Sequence, residues 1–274
     1  MKVQLSICIV AYNNYDDVAK AVSSLEEYTP SQIKKQVYIV DNSMSSKEQE
    51  ENLAVLDSVI ARYDDVCIIN VGANLGFGKG HNYILDELES EYHAIVNPDI
   101  IFTEDVFSPI IEYMRNNRDV GMCIPNITDE KGERLQVYRR ELTVFDMFIR
   151  MFCKNLFPKR NAMHTLQDQD YTQPFQVPFG QGSFLVIRTE LFKKLNGFDD
   201  RFFMYLEDAD LCKRVNEISK LMYYPGASVV HRWEKGSHKN KKLLMHTWLR
   251  HSKVLPLRGE WQATDYTPAK AYFR

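Results

Sequence analysis

Ser6-Ile7-Cys8-Ile9-Val10-Ala11-Tyr12-Asn13 is a short apolar run that ends in polar residues, and the pattern returns where Val37-Tyr38-Ile39-Val40 runs into Asp41-Asn42-Ser43. Working outward, apolar runs at residues 5–10, 36–40, 66–70, 92–96 and 120–124 alternate with longer mixed segments at 16–27, 47–62, 78–88 and 104–116. Strands alternating with helices build a mostly parallel central sheet flanked by helices, so the chain is expected to be an α/β protein. In such a sheet, ligands sit beyond the carboxyl ends of the strands. The residues expected there are Tyr12-Asn13-Asn14, Asp41-Asn42-Ser43, Gly72-Ala73-Asn74 and Asn97-Pro98-Asp99, all polar and all on one edge.

The second half is less regular. Asp129-Glu130-Lys131-Gly132 reads as a hairpin turn, 143–157 as a buried helix rich in Phe and Met, 161–178 as a polar loop able to close over a ligand, and 184–187 and 227–230 as strands. At 274 residues and 45% hydrophobic, the chain can bury a substantial core and is not a disordered protein. Cys8, Cys67, Cys123, Cys153 and Cys212 form no C-x-x-C pair and read as reduced residues of a cytosolic protein. The N-terminal apolar run is too short for a secretory signal, and no stretch reaches the length of a membrane span.

A net charge of −3 conceals an asymmetry. Between His231 and Arg258 eight Lys or Arg stand against one acid, Glu234, so a basic segment comes after an acidic body. Leu243, Leu244, Trp248 and Leu249 give that segment an apolar side, which suits an anionic partner such as a phospholipid or a pyrophosphate. A nucleic-acid module would also carry basic charge, but nothing else in the chain supports one.

Three motifs carry chemistry. In Asn74-Leu75-Gly76-Phe77-Gly78-Lys79-Gly80-His81-Asn82, the dinucleotide fingerprint fails at His81, and the phosphate loop fails at Ala73 and Gly80. What remains is a turn into a helix whose amides and Lys79 can face an anion. Asn97-Pro98-Asp99 presents one stiffened carboxylate at a strand end, where Mg2+ or Mn2+ shared with a diphosphate can be held. The third is Gly197-Phe198-Asp199-Asp200-Arg201-Phe202-Phe203-Met204-Tyr205-Leu206-Glu207-Asp208-Ala209-Asp210, an aromatic turn running into three acids at a helix start. Leu211, Val215 and Ile218 continue at helical spacing and put Asp208 on the inward face, with Glu207 and Asp210 less inward and Asp210 able to pair with Arg214. A carboxylate that is charged yet poorly solvated suits a general base.

In their order, and with Gly182-Ser183-Phe184 added, these segments resemble the family 2 glycosyltransferases of GT-A fold, particularly bacterial rhamnosyltransferase-like members, from about residue 3 to 237. The resemblance implies that Ala11, Tyr12 and Asn13 line a nucleotide pocket, that Asp41 bonds the base, and that Asn74 and Gly76 border nucleoside and sugar beside Lys79 and Asn97. It implies Asp99 and His231 as metal residues, with Asn97 departing from the commoner Asp-x-Asp pattern. Asp208 takes the place of the base of inverting members, with Gly182, Ser183 and Glu207 on the acceptor side. The expected arrangement is a catalytic domain over 1–237, divided into a nucleotide half (1–125) and an acceptor half (126–237), and a basic amphipathic helical extension over 238–274. The expected partners are a nucleotide-sugar donor (dTDP-rhamnose first, UDP-linked hexose or galactofuranose as the alternative) and a lipid-linked glycan, met at the inner face of the membrane, with no nucleic acid. A sugar nucleotidyltransferase is the other enzyme weighed, and the chain lacks the glycine-rich, basic first loop such chemistry favours.

Overall fold

A computed structural model describes residues 3–140 and 158–232, which belong to one compact unit. Strands β1 (Leu5–Ala11), β2 (Lys35–Asp41), β3 (Val66–Asn70) and β4 (Tyr92–Val96) form as the apolar runs direct, none extending more than one residue past either expected end. They pair in parallel in the order β3-β2-β1-β4, and Ile7, Ile9, Val37, Ile39, Ala94 and Ile95 are fully buried. Helices α1 (Tyr15–Tyr28), α2 (Lys47–Ile60), α3 (Phe77–Asn82) and α4 (Phe107–Asn116) connect this half to the next. In α1, Val18, Ala21, Val22 and Leu25 make a buried stripe at helical spacing, and in α4 Phe107, Ile110, Ile111 and Met114 do the same. Each large apolar side chain among them contributes about 1.5–3 kcal/mol by leaving water.

The sheet continues past β4 through β10 (Phe184–Arg188), antiparallel to it, then β6 (Val120–Thr128), β11 (Lys220–His231) and β5 (Ile100–Ile101), with β8 (Phe175–Gln176) on the side of β11. β6 and β11 are parallel, so the sheet is mostly parallel with antiparallel insertions. Separately, β7 (Tyr138–Arg139) and β9 (Phe179–Gly180) pair as a two-stranded ribbon. Helices α5 (Pro158–His164), α6 (Thr189–Lys194) and α7 (Glu207–Ile218) complete the described elements.

Several expectations are corrected. The helix expected over 78–88 ends at Asn82 and goes on as turns, and that expected from 104 starts at Phe107 because Asp105 accepts from the Ser108 amide (3.0 Å) outside the helix. The 120–124 strand runs to Thr128, since β11 offers a parallel partner over that length. The stretch 161–178 is no open loop: it holds the end of α5 and all of β8, and Arg140 clamps it by bonds to the Met163 carbonyl (2.9 Å) and the Asp168 carboxylate (2.5 Å). The turn at Asp129–Gly132 is present, closed by the Asp129 amide on the Glu133 carbonyl (2.9 Å). The helix expected over 143–157 and the extension over 238–274 lie outside the described residues. Among the described residues Cys8, Cys67, Cys123 and Cys212 are unpaired thiols, and no helix is long and apolar enough to cross a membrane.

Candidate active site

Parallel strands bring the ends of β1, β2, β3 and β4 to one edge, where the expected nucleotide residues gather. Ala11 is fully buried, Tyr12 is 44% exposed, and Asn13 adopts φ 54°, its amide donating to Ser43 Oγ at 2.9 Å. Asp41 is buried and accepts from the Tyr15 hydroxyl (2.8 Å), the Gln49 side-chain amide (3.0 Å) and the Ser43 amide (2.9 Å). These three donors fix its carboxylate at the carboxyl end of β2. Tyr15 and Gln49 escaped the sequence reading, because nothing in a helix stripe or a helix start marks a residue as a carboxylate's partner.

The glycine turn is built against the other half of the molecule. Asn74 Oδ1 accepts from the Gly76 amide (3.0 Å), the Asn42 side chain donates to the Gly76 carbonyl (2.9 Å), and the Phe77 amide donates to the Phe203 carbonyl (3.1 Å). Gly76 has φ +81°, and a Cβ there would lie 2.0 Å from the Phe203 carbonyl oxygen. Gly78 packs on Phe198 and the Glu207 side chain, so the turn rests on the start of α7, while Lys79 is exposed.

β4 delivers Asn97 and Asp99 to the same edge. The Asn97 amide donates to the Ser183 carbonyl (2.8 Å) and Asp99 Oδ1 stands 3.1 Å from His231 Nε2, so the two expected metal residues, far apart in sequence, meet. Asn97 Oδ1 and Ser183 Oγ are buried with no hydrogen-bond partner. Among the described residues no three His, Cys, Asp or Glu converge as a self-sufficient metal cage. Mg2+ and Mn2+ delivered with a diphosphate need only one or two protein ligands, so an Asp–His pair beside an unsatisfied amide oxygen fits such an ion.

At α7 the expected order of burial is corrected. Tyr205 and Leu206 both have positive φ, 68° and 72°, and this left-handed entry sets the helix phase so that Glu207, Leu211 and Val215 share the buried stripe. Glu207 is 5% exposed, whereas Asp208 is half-buried and turned toward the β9–β10 connection. There the Gly182 amide donates to Asp208 Oδ2 (3.1 Å) and the Ala209 amide to Oδ1 (2.8 Å). Burial raises both acids above the usual carboxylate range. Asp208 is pulled back by these amides and by the positive field of Arg139; Glu207 is pushed further by the Asp208 charge. The amide donors favour the charged form at Asp208, and burial opposes it at Glu207. Asp210 pairs with Arg214 at 2.6 Å, as its spacing implies. Arg139 on β7 is buried.

The backbone links these parts: Asn97 holds Ser183, and Gly182 holds Asp208. Over residues 6–196 the sequence matches the profile of glycosyl transferase family 2. The chain belongs to that family. It is similar to N-acetylglucosaminyl-diphospho-decaprenol L-rhamnosyltransferase of Mycobacterium tuberculosis, at 27% identity over 64% of this chain and 61% of that protein, so it spans about three fifths of that relative's length. It is also similar to the rhamnosyltransferase WbbL of Escherichia coli K12, at 26% identity over 82% of each chain. Among solved structures it shares its fold with GalNAc-T7 bound to UDP, GalNAc and Mn2+ (TM-score 0.61, 16% identity, 84% of this chain and 43% of that one). It shares it equally with the mannosyltransferase PcManGT of Pyrobaculum calidifontis in complex with GDP-Man and Mn2+ (TM-score 0.61, 13% identity, 93% and 64%). This family 2 member therefore has the GT-A fold expected of it.

Proposed function

We propose that this family 2 protein transfers a sugar, with inversion, from a nucleoside diphosphate donor to an acceptor hydroxyl, that the donor is dTDP-rhamnose, and that the acceptor is a lipid-linked glycan of the cell envelope. One observation carries the reading: Asp208 is held by the Gly182 amide in the connection whose next residue, Ser183, holds Asn97, so a carboxylate base and the Asn97-Pro98-Asp99 strand end face one space. Asp208 takes the proton of the acceptor hydroxyl as its oxygen attacks the anomeric carbon, and the bond to the nucleoside diphosphate breaks on the opposite side. Two backbone donors fix the carboxylate, leaving lone pairs for that proton. Glu207, carrying a proton, keeps a second negative charge away from the base. Gly76 and Phe77, pinned to Phe203, border the sugar, and Ala11, Tyr12, Asn13 and Asn74 line the nucleoside side. Asp99 and His231 are the residues to hold Mg2+ or Mn2+, which when bound neutralises the diphosphate leaving group.

Support for rhamnose comes from the two rhamnosyltransferase relatives, and support for a lipid-linked acceptor from the mycobacterial relative's name and the basic segment after His231. The test is thermal unfolding with dTDP, UDP and GDP, each with Mn2+, with Mg2+ and with EDTA. Ligand at about 100 times its Kd adds roughly 2.7 kcal/mol of stability, several degrees in a chain of this size. A metal-dependent rise with dTDP above the other two supports the proposal; a rise with UDP alone moves the donor to a UDP-sugar. No rise with any nucleotide, joined to no transfer from the corresponding sugar donors, rejects it.

A further inference from the structure

The turn from Gly197 to Leu206 is fastened along its length. The Asn82 side chain accepts from the Phe198 amide (2.8 Å) and donates to the Phe198 carbonyl (2.7 Å) and to Asp200 Oδ1 (3.0 Å). Asp199 pairs with Arg201 and accepts from its amide (2.9 Å), and the Phe202 amide closes on the Asp199 carbonyl (3.1 Å). Phe198 and Phe202 are buried and anchor the turn, whereas the next ring, Phe203, is 42% exposed. Its backbone is nonetheless fixed: its carbonyl accepts from the Phe77 amide (3.1 Å), and Tyr205 and Leu206 just beyond it hold left-handed φ values of 68° and 72°. Bulky residues are strained in that region, and such strain gathers at ligand clamps. The fold thus holds one aromatic ring rigidly in water. Its place is set by close packing: Phe203 Cδ2 lies 2.9 Å from the point where a Gly76 Cβ would stand, so the ring rests on the glycine turn. One residue on, the Phe77 ring reaches Gly182, where a Cβ would meet Phe77 Cε1 at 3.4 Å and Asp208 Cβ at 3.1 Å. Phe203, the glycine turn, Phe77 and Asp208 are therefore a continuous row of contacts, from an exposed ring to the candidate base.

We propose that Phe203 is the acceptor platform: the apolar face of a pyranose ring of the acceptor stacks on the exposed phenyl ring, which turns the sugar's reacting hydroxyl toward Asp208. This inference rests on Asp208 being the base of the proposed transferase, and it names the acceptor group that the site holds. A pyranose carries C–H groups across a face and hydroxyls around its rim, so it can cover an aromatic ring and still present an O–H to a carboxylate. Stacking takes both surfaces out of water, and a ring whose backbone is already fixed loses little freedom on binding. The acceptor, not the donor, is the sugar that meets this ring. The donor sugar is bordered by the backbone of Gly76 and Phe77, whereas an acceptor arriving from solvent at the half-buried Asp208 comes to the lip that carries Phe203.

Two measurements test the proposal, and they fail separately. The first needs no turnover: saturation-transfer NMR on methyl glycosides of N-acetylglucosamine, glucose and galactose, with the full chain, Mg2+ and either dTDP or UDP present. At least one glycoside is expected to receive saturation mainly at the C–H protons of one ring face, to lose most of it with Phe203→Ala and to keep it with Phe203→Trp. No saturation of any of the three by the wild type, or equal saturation by Phe203→Ala, overturns the platform. The second is the kinetics of transfer to the glycoside that binds. Phe203→Ala is expected to raise acceptor KM at least about tenfold, with Phe203→Leu close to Ala and Phe203→Trp close to wild type, at unchanged donor KM and Tm. A donor KM raised by the same factor overturns the assignment, because the ring would then be shaping the glycine turn instead of holding the acceptor. So does an effect confined to lipid-bearing acceptors, which would put the lipid chain on the ring. Absence of transfer by the wild type rejects the transferase reading, while the NMR measurement still decides whether a sugar ring lies on Phe203.

Discussion

Asp208 and Glu207 adjoin in sequence, yet the fold surrounds them differently: two backbone amides donate to Asp208, while Glu207 lies in the buried stripe of α7. Replacing Asp208 by Asn keeps the shape and an acceptor for the Gly182 amide while removing the proton sink, so kcat is expected to fall by about 10² to 10⁴ with nucleotide binding retained. Initial rates and the nucleotide-induced Tm shift, measured on one preparation, check both halves; unchanged turnover would remove Asp208 from the mechanism. For Glu207 the sign runs the other way. Burial and then the Asp208 charge raise its pKa, so the fold binds a proton that the unfolded chain releases. The stability this contributes is complete below the ordinary carboxylate pKa and is lost as pH rises through the raised value. Glu207→Gln, which stays neutral throughout, is therefore expected to gain a few degrees in Tm over wild type at pH 8 and nothing at pH 4. A constant difference between the two across that range would mean Glu207 is ionised in the fold.

At the scale of elements, the turn before α3 is the most exacting. Gly76 combines φ 81° with ψ −177°, a region in which other residues are strained by about 1–3 kcal/mol, and a Cβ would also strike the Phe203 carbonyl. Gly76→Ala is expected to raise donor KM at least about tenfold, since about 1.4 kcal/mol is a factor of ten and the turn must move off Phe203 to accept the methyl. Donor titration of the folded variant checks it, and an unchanged KM would separate the turn from the sugar site. The sequence revealed this turn by its glycines but not the surface it packs on. The same limit applies across the fold. β1 to β4 were legible because an apolar run buried in a parallel sheet needs no tertiary information, and their polar ends located the site's edge. β5, β7, β8 and β9, two residues each, are too short to show any period and exist only because a longer strand or a ribbon partner pairs with them. The burial order at α7 was misjudged by one position because two successive left-handed residues, Tyr205 and Leu206, set the helix phase, and no propensity scale anticipates a tyrosine and a leucine there.

For the whole molecule, the proposed lipid-linked acceptor makes the distribution of charge along the chain a testable matter. The chain's net charge is −3, yet the run from His231 to Arg258 holds eight basic residues and one acid, so the acidic excess belongs to the catalytic body and the cationic charge to the segment after it. Near an anionic leaflet each Lys or Arg contributes about 1 kcal/mol, an attraction that decays within about 8 Å at physiological salt. The acidic body is repelled by the same surface, so the molecule is expected to meet it by the basic segment. In sequence, that segment follows β11, at whose end His231 faces Asp99. Deleting residues after Asn240 removes Lys241, Lys242, Arg250, Lys253 and Arg258 together with Trp248 and its leucines. The truncated chain is expected to lose at least about 90% of its sedimentation with anionic liposomes at about 50 mM salt, and the full chain to be released progressively as salt rises. Transfer to a short soluble acceptor should persist in the truncated chain, because every residue assigned to the chemistry lies before the cut. Undiminished sedimentation of the truncated chain would end the membrane proposal while leaving the transferase intact, whereas loss of transfer to the soluble acceptor would make the basic segment part of the active site.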